Sequence, residues 1–145
     1  MKSDNYVVLE FLSRSSNESF ARMAAAGFAA QLDPTLDELG DIKTAVSEAV
    51  TNAIVHAYPE KLGKIVMKMR ILEGAVLEIS IRDWGCGIED VDRARQPLYT
   101  TGGEERSGMG FTIMESFTDR LHVKSSCDKG TTVTMRKQIS QRYCV

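Results

Sequence analysis

The run Ser47-Glu48-Ala49-Val50-Thr51-Asn52-Ala53-Ile54-Val55-His56 constrains this chain more than any other stretch. It reads as a mostly apolar helix in which Glu48, Asn52 and His56 recur every four residues. That spacing stacks all three on one helical face. A carboxylate in apolar surroundings is costly unless something pairs with it. The natural partner for a glutamate and an amide oxygen on one face is a hard cation with a phosphate behind it. The segment therefore points to a nucleotide site without a phosphate-loop lysine, and the chain carries no GxxxxGK[ST] motif.

The surrounding pattern gives this helix its setting. Thr35 and Glu38 fit a capping box, and the helix is predicted from about Leu36 to Ala57, where Tyr58-Pro59 ends it. Upstream, Tyr6 to Phe11 is a first strand. Ser15-Ser16-Asn17 offers N-caps for a helix through Leu32, with Phe20, Met23, Ala24, Gly27 and Phe28 as its apolar stripe. Lys64 to Leu72 and Val76 to Asp83 alternate as strands joined by the hairpin Glu73-Gly74-Ala75. Trp84 to Ile88 is a glycine-bearing loop, and Asp90 to Arg95 has room for one or two helical turns. Gln96 to Ser107 lacks periodicity and is expected to be a mobile loop. A short helix over Gly110 to Phe117 and a strand pair, Leu121 to Ser125 and Thr131 to Lys137, complete the order, with a frayed tail after Ile139. Helices in one group and antiparallel strands in another imply a single α+β domain over residues 1–145, built as a two-layer sandwich.

Composition narrows the function classes. The formal net charge of −2 argues against direct nucleic-acid binding, which usually needs a basic face. Cys86, Cys127 and Cys144 form an odd set with no CxxC pair, so neither a disulfide framework nor a zinc site is expected and a reducing cytoplasm is the default. No apolar run reaches bilayer-spanning length, so no membrane partner is expected.

Two GxG pieces, Gly85-Cys86-Gly87 and Gly108-Met109-Gly110, gain meaning from their neighbours. Asp83 ends a strand beside the first, where a carboxylate accepts a hydrogen bond from an exocyclic amine and bare glycines leave room for a flat base. The second pair opens a helix whose glycine amides favour an anion, and Arg106 adds a charged donor for a terminal phosphate. Thr131 is placed to reach back toward Asp83. Plainer readings stand beside these. Glu48 alone also fits a solvated helix residue, Asn52 a helix–helix hydrogen-bonder, Asp83 a turn residue and Arg22 or Arg106 a surface charge. His56 fits a hydrogen-bonded histidine better than a metal ligand. Met67, Met69, Met109 and Met114 read as core or loop filling, and Cys86 as a small packing residue.

The series Glu48-x-x-x-Asn52-x-x-x-His56, Asp83-x-Gly85-x-Gly87, Gly108-x-Gly110 and Gly130-Thr131 resembles that of the GHKL superfamily of ATP sites. The segments Asn17 to Arg22, Ser47 to Ala53 and Glu105 to Glu115 are most similar to its small anti-sigma-factor kinases, the sporulation sigma-F group in particular. The resemblance implies a Bergerat-type fold with a mixed, mainly antiparallel sheet, and a homodimer. It implies a protein-serine kinase that clamps a sigma factor when ATP is bound and phosphorylates a small anti-anti-sigma (STAS-type) protein. By the same resemblance Glu48 would be the general base and Asn52 the Mg²⁺ ligand. Asp83, Gly85, Gly87 and Thr131 would receive adenine. Thr100, Thr101, Ser107, Gly108, Met109, Gly110 and Phe111 would wrap the nucleotide, with Arg106 at the γ-phosphate and Arg22 docking a partner. A general-stress anti-sigma kinase, or a nucleotide-gated binding module without catalysis, are the alternatives. This chain departs from the family pattern at Ala57-Tyr58, at Trp84 and at Gly102-Gly103.

Overall fold

The structure is a computed structural model that describes residues 3–88, 90–95 and 110–140. β1 (Ser3–Leu12) leads into α1 (Ser16–Ala29), which tightens into a 3₁₀ turn over Ala30–Leu32. Asp33, in the left-handed region at φ 48°, ends that turn. α2 (Leu36–Asn52) starts on a complete capping box. The Thr35 hydroxyl accepts the Glu38 N–H at 3.1 Å, and Glu38 Oε1 accepts the Thr35 N–H at 2.8 Å. β2 (Lys64–Leu72) and β3 (Val76–Asp83) form the expected hairpin. After the short α3 (Val91–Ala94) come α4 (Gly110–Phe117), β4 (Arg120–Ser126) and β5 (Gly130–Gln138).

The sheet order is β1-β2-β3-β5-β4, and all four described pairings are antiparallel. The mixed sheet that the resemblance implied is thus corrected to an antiparallel one. The reason is topological. β3 and β4 run parallel and are linked through the helical segment, but β5 inserts between them and pairs antiparallel with both.

α2 carries the core. Its buried positions Ile42, Ala45, Val46, Ala49 and Val50 follow the i, i+3, i+4, i+7 stripe of an amphipathic helix. They meet the inward rows of the sheet: Ile65, Met67 and Met69 from β2, Leu77, Ile79 and Ile81 from β3, and Val133 and Met135 from β5. Met114 of α4 is also fully buried, so three of the four methionines read as filling lie in the core, and Met109 falls outside the described residues.

α1 corrects the expected stripe. Ala21, Ala25, Phe28 and Ala29 are buried, whereas Phe20 and Met23 are 56% and 63% exposed. Small alanines let α1 lie close against its neighbour, and that turns the larger side chains outward. On the outer face of the sheet, Glu78 is buried between Arg70 and Arg136, whose Nε atoms each donate to it at 2.8 Å. Burial alone would raise its pKa, but the two guanidiniums outweigh that and hold it below the usual carboxylate range. No described helix is long and apolar enough to cross a membrane.

Candidate nucleotide site

The end of α2 builds one wall. Glu48 and Asn52 are both half-buried, one turn apart. Beyond Asn52 the helix widens into a π turn over Ala53–Ala57 and stops at Tyr58. The sequence implied an α-helix through Ala57, and nothing in its pattern signals the change. The π turn redirects two carbonyls outward toward the loop after β3. Ala57 O accepts the Cys86 N–H at 3.2 Å, and His56 O accepts the Cys86 thiol at 2.9 Å. π turns of this kind cluster at functional sites.

Asp83 builds the opposite wall. It ends β3, is 6% exposed, and uses one oxygen structurally. Oδ1 accepts the Gly85 N–H at 3.0 Å and the Thr131 N–H at 3.2 Å. Oδ2 has no partner among the described residues, which leaves it for a ligand donor. Burial raises the Asp83 pKa above its ordinary value, and the two backbone N–H bonds only partly offset this.

Bare backbone surrounds this carboxylate. A Cβ on Gly85 would lie 2.2 Å from the Ala57 carbonyl oxygen, and one on Gly130 would lie 2.1 Å from Asp83 O. Gly130 also has φ +98°, which only glycine adopts readily. Both positions therefore require glycine for packing.

Thr131 is buried. Its N–H holds Asp83, while its hydroxyl shares a 2.7 Å hydrogen bond with Ser125 Oγ, which also accepts the Ile88 N–H. Tyr58, which the sequence marks only as the end of the helix, joins the walls. Its hydroxyl donates to Lys64 O at 2.8 Å and accepts the Trp84 N–H at 2.7 Å. Trp84 itself faces outward, between Lys64 at 4.3 Å and Arg82 at 4.6 Å from its ring centre. Cys86 is exposed, so the packing role read from the sequence is corrected.

The start of α4 closes the arrangement. A Cβ on Gly110 would lie 3.0 Å from Asn52 Nδ2 and 3.1 Å from Oδ1, so the first residue of α4 rests against the Asn52 amide. Phe111 is buried behind it. Glu48, Asn52, Asp83, Gly85, Gly87, Gly110, Phe111 and Thr131 all fall within the described residues, but Thr100, Thr101, Arg106, Ser107, Gly108 and Met109 lie outside them. Arg22 sits apart on α1. It pairs with Glu18 at 3.6 Å, and Glu18 accepts the hydroxyl of Ser47, the residue before Glu48.

A family model for the histidine kinase-like ATPase domain matches residues 12–137. An anti-sigma F factor from Caldanaerobacter subterraneus subsp. tengcongensis is 56% identical over 97% of this chain and 99% of its own length. Another from Geobacillus kaustophilus is 56% identical over 94% of each chain. Among solved structures, the RsbU and RsbW domains of a Mycobacterium tuberculosis protein superpose with a TM-score of 0.68 at 17% identity, covering 95% of this chain and 33% of that one. A blue-light activated histidine kinase from Erythrobacter litoralis gives 0.60 at 22% identity, over 83% of this chain and 41% of the other. At these identities the structural likeness concerns the fold.

Proposed function

Because the chain belongs to the histidine kinase-like ATPase family and groups there with the anti-sigma F factors, we propose that it is an ATP-dependent protein-serine kinase and anti-sigma factor of the sporulation sigma-F type. Its partners are then a sigma factor, held while ATP is bound, and a small anti-anti-sigma protein of the STAS type that receives the phosphoryl group. The working form is a cytoplasmic homodimer of single-domain chains.

The observation that carries this reading is the Gly110–Asn52 contact. It brings the start of a helix, with its outward N–H groups, over an amide oxygen one turn from Glu48. The donor set fits Mg²⁺. One protein oxygen with phosphate and water oxygens suits an ion that dehydrates reluctantly, and among the described residues no cluster of three or more His, Cys, Asp or Glu offers a full protein cage. Bound there, Mg²⁺ would neutralise charge on the phosphates.

The chain's own residues do the rest. Asp83 Oδ2 accepts from the adenine amine, while Gly85 and Gly87 keep the base pocket clear. Thr131 fixes Asp83 through its N–H. Gly110 and Phe111 present the start of α4 to the phosphates, and Thr100, Thr101, Arg106, Ser107, Gly108 and Met109 are assigned to the triphosphate with them. Glu48 takes the proton from the attacking serine hydroxyl, so that oxygen bonds to the γ-phosphorus as the bond to the β-phosphate oxygen breaks. Arg22 contributes to the partner surface, flanked by the exposed Phe20 and Met23.

Glu48→Gln tests the assignment. We expect ATP affinity to stay within about threefold while phosphorylation of the partner serine drops about 10²-fold or more, the usual worth of a positioned base. Unchanged turnover in this variant refutes Glu48 as the base. Absence of phosphoryl transfer to the partner serine by the parent chain would favour instead a nucleotide-gated binding module.

A further inference from the structure

The β2–β3 hairpin ends beside Asp83 on a side chain. Its last ladder pair is Ile65 with Asp83. One residue beyond, Lys64 O and the Trp84 N–H both bond to the Tyr58 hydroxyl, at 2.8 and 2.7 Å. A group from the end of the helical wall thus supplies the next rung between the two strands.

Tyr58 is itself held. It is buried and follows directly on the π turn Ala53–Ala57. Its ring lies on Gly63, where a Cβ would sit 2.2 Å from Tyr58 Cε1. The Gly63 backbone is pinned in turn. Its N–H donates to Ser13 Oγ and its carbonyl accepts the Ser13 N–H, both at 2.9 Å. Burial, with the nearby Asp83 charge, raises the Tyr58 pKa, so the hydroxyl keeps the proton it gives to Lys64 O.

Three consecutive N–H groups fix the loop that Tyr58 meets. Trp84 donates to Tyr58, Gly85 to Asp83 Oδ1 and Cys86 to Ala57 O. Two of the three acceptors therefore belong to neighbouring residues at the end of the helix that carries Asn52. The Asp83–Trp84 peptide is held from both sides. Tyr58 takes its N–H, and its carbonyl packs on Gly130, where a Cβ would lie 2.1 Å from Asp83 O.

We propose that Tyr58 is a positioning residue for the nucleotide base: its hydroxyl ties the Asp83–Trp84 peptide to the end of the α2 wall and so aims Asp83 at the base amine. The proposal rests on the nucleotide reading above. Without the hydroxyl, the Trp84 N–H and Lys64 O must find other partners, and the peptide that carries Asp83 is released on one side. Asn52 and Gly110 lie outside this set of bonds, so the phosphate end of the site is unaffected.

Tyr58→Phe tests this in the full chain, because it keeps the ring on Gly63 and removes only the hydroxyl. Calorimetric titration with Mg·ATP, and competition by Mg·ITP, read the affinities. ITP carries an oxo group in place of the amine and lacks the donor that Asp83 accepts. We expect Mg·ATP affinity to fall about tenfold, as for one lost hydrogen bond, while Mg·ITP affinity stays within about threefold. Preference for the amino base then falls, a result that general loosening of the fold would not give. Gly63→Ala keeps the hydroxyl but pushes the ring away, and it should reproduce the loss of preference even if Tyr58→Phe fails to fold. Mg·ATP affinity within threefold of the parent's, or equal losses for the two nucleotides, overturns the proposal. A parent chain that binds no Mg·ATP refutes the nucleotide reading and the proposal with it.

Discussion

Replacing Asp83 by asparagine separates the structural role of one carboxylate oxygen from the ligand role proposed for the other. Oδ1 is committed to the Gly85 and Thr131 N–H groups, at 3.0 and 3.2 Å. In the variant the amide oxygen must take that position, since an amide NH₂ there would face two buried donors. Nδ2 then occupies the place of Oδ2 and turns the one ligand-facing acceptor into a donor opposite the adenine amine. The loss combines one hydrogen bond to a charged group, about 1.5–3 kcal/mol, with a donor left unpaired on each side, about 1–3 kcal/mol. We expect Kd for Mg·ATP to rise by roughly 10²–10⁴-fold.

Stability should move little in the same variant. The folded-state pKa of Asp83 is raised by burial, so the folded chain binds its proton more tightly than the unfolded chain does. By linkage, the stabilising contribution is present below the unfolded pKa and is lost as pH rises through the folded one, leaving a penalty at neutral pH. A neutral amide escapes that penalty while weakening two hydrogen bonds. The net change should stay within about 1 kcal/mol, or about 4 °C in Tm for a chain of this length. Calorimetric titration of Mg·ATP and thermal melts at pH 7.5 read the two quantities. A Kd within threefold of the parent's, or a loss of Tm beyond about 10 °C with ATP binding intact, would show that Asp83 is only a structural anchor.

Other perturbations probe separate parts of the molecule. Gly110→Ala places a methyl 3.0 Å from the Asn52 amide at a position of ordinary backbone geometry. Mg·ATP affinity should fall about tenfold or more, while melting temperature holds or rises slightly because alanine is the better helix former. Equal affinity in titration would remove Asn52 from the site. Glu38 is held at a pKa of about 2. Burial works against this, but the Thr35 N–H and the Ser140 N–H and hydroxyl outweigh it. Its folded pKa lies below the model-peptide value of 4.5, so its contribution is present above that value and is lost as pH falls through it toward 2. Glu38→Gln should cost about 1–2 kcal/mol near neutral pH, limited by solvent screening at the rim. That difference should vanish between about pH 4.5 and 2 in urea melts at stepped pH, and a gap that persists at the acid end would rule out the carboxylate as its source.

Most of the elements are legible in the sequence, and for local reasons. The Thr35–Glu38 capping box, the Glu73-Gly74-Ala75 hairpin and the Gly110 to Phe117 helix each depend on residues within one turn of one another. What was misread depends on distant contacts. Phe20 and Met23 have the hydrophobicity of core residues, yet close packing of the alanine face of α1 turns them to solvent. Cys86 looks like a packing residue until the π turn at Ala53–Ala57 draws its backbone outward to a carbonyl. Tyr58 has a role only because Lys64 O and the Trp84 N–H arrive on either side of its hydroxyl.

Alone, the sequence determined the helical face bearing Glu48 and Asn52, the strand end bearing Asp83 and the glycines beside them, because side-chain period and backbone permissiveness are local properties. The tertiary structure decided the rest. It inserted β5 between β3 and β4, committed one Asp83 oxygen to two backbone donors and left the other open, and set Gly110 on the Asn52 amide. Those outcomes depend on where segments far apart in the chain come to rest once the apolar face of α2 is buried against the sheet, and no local pattern encodes them.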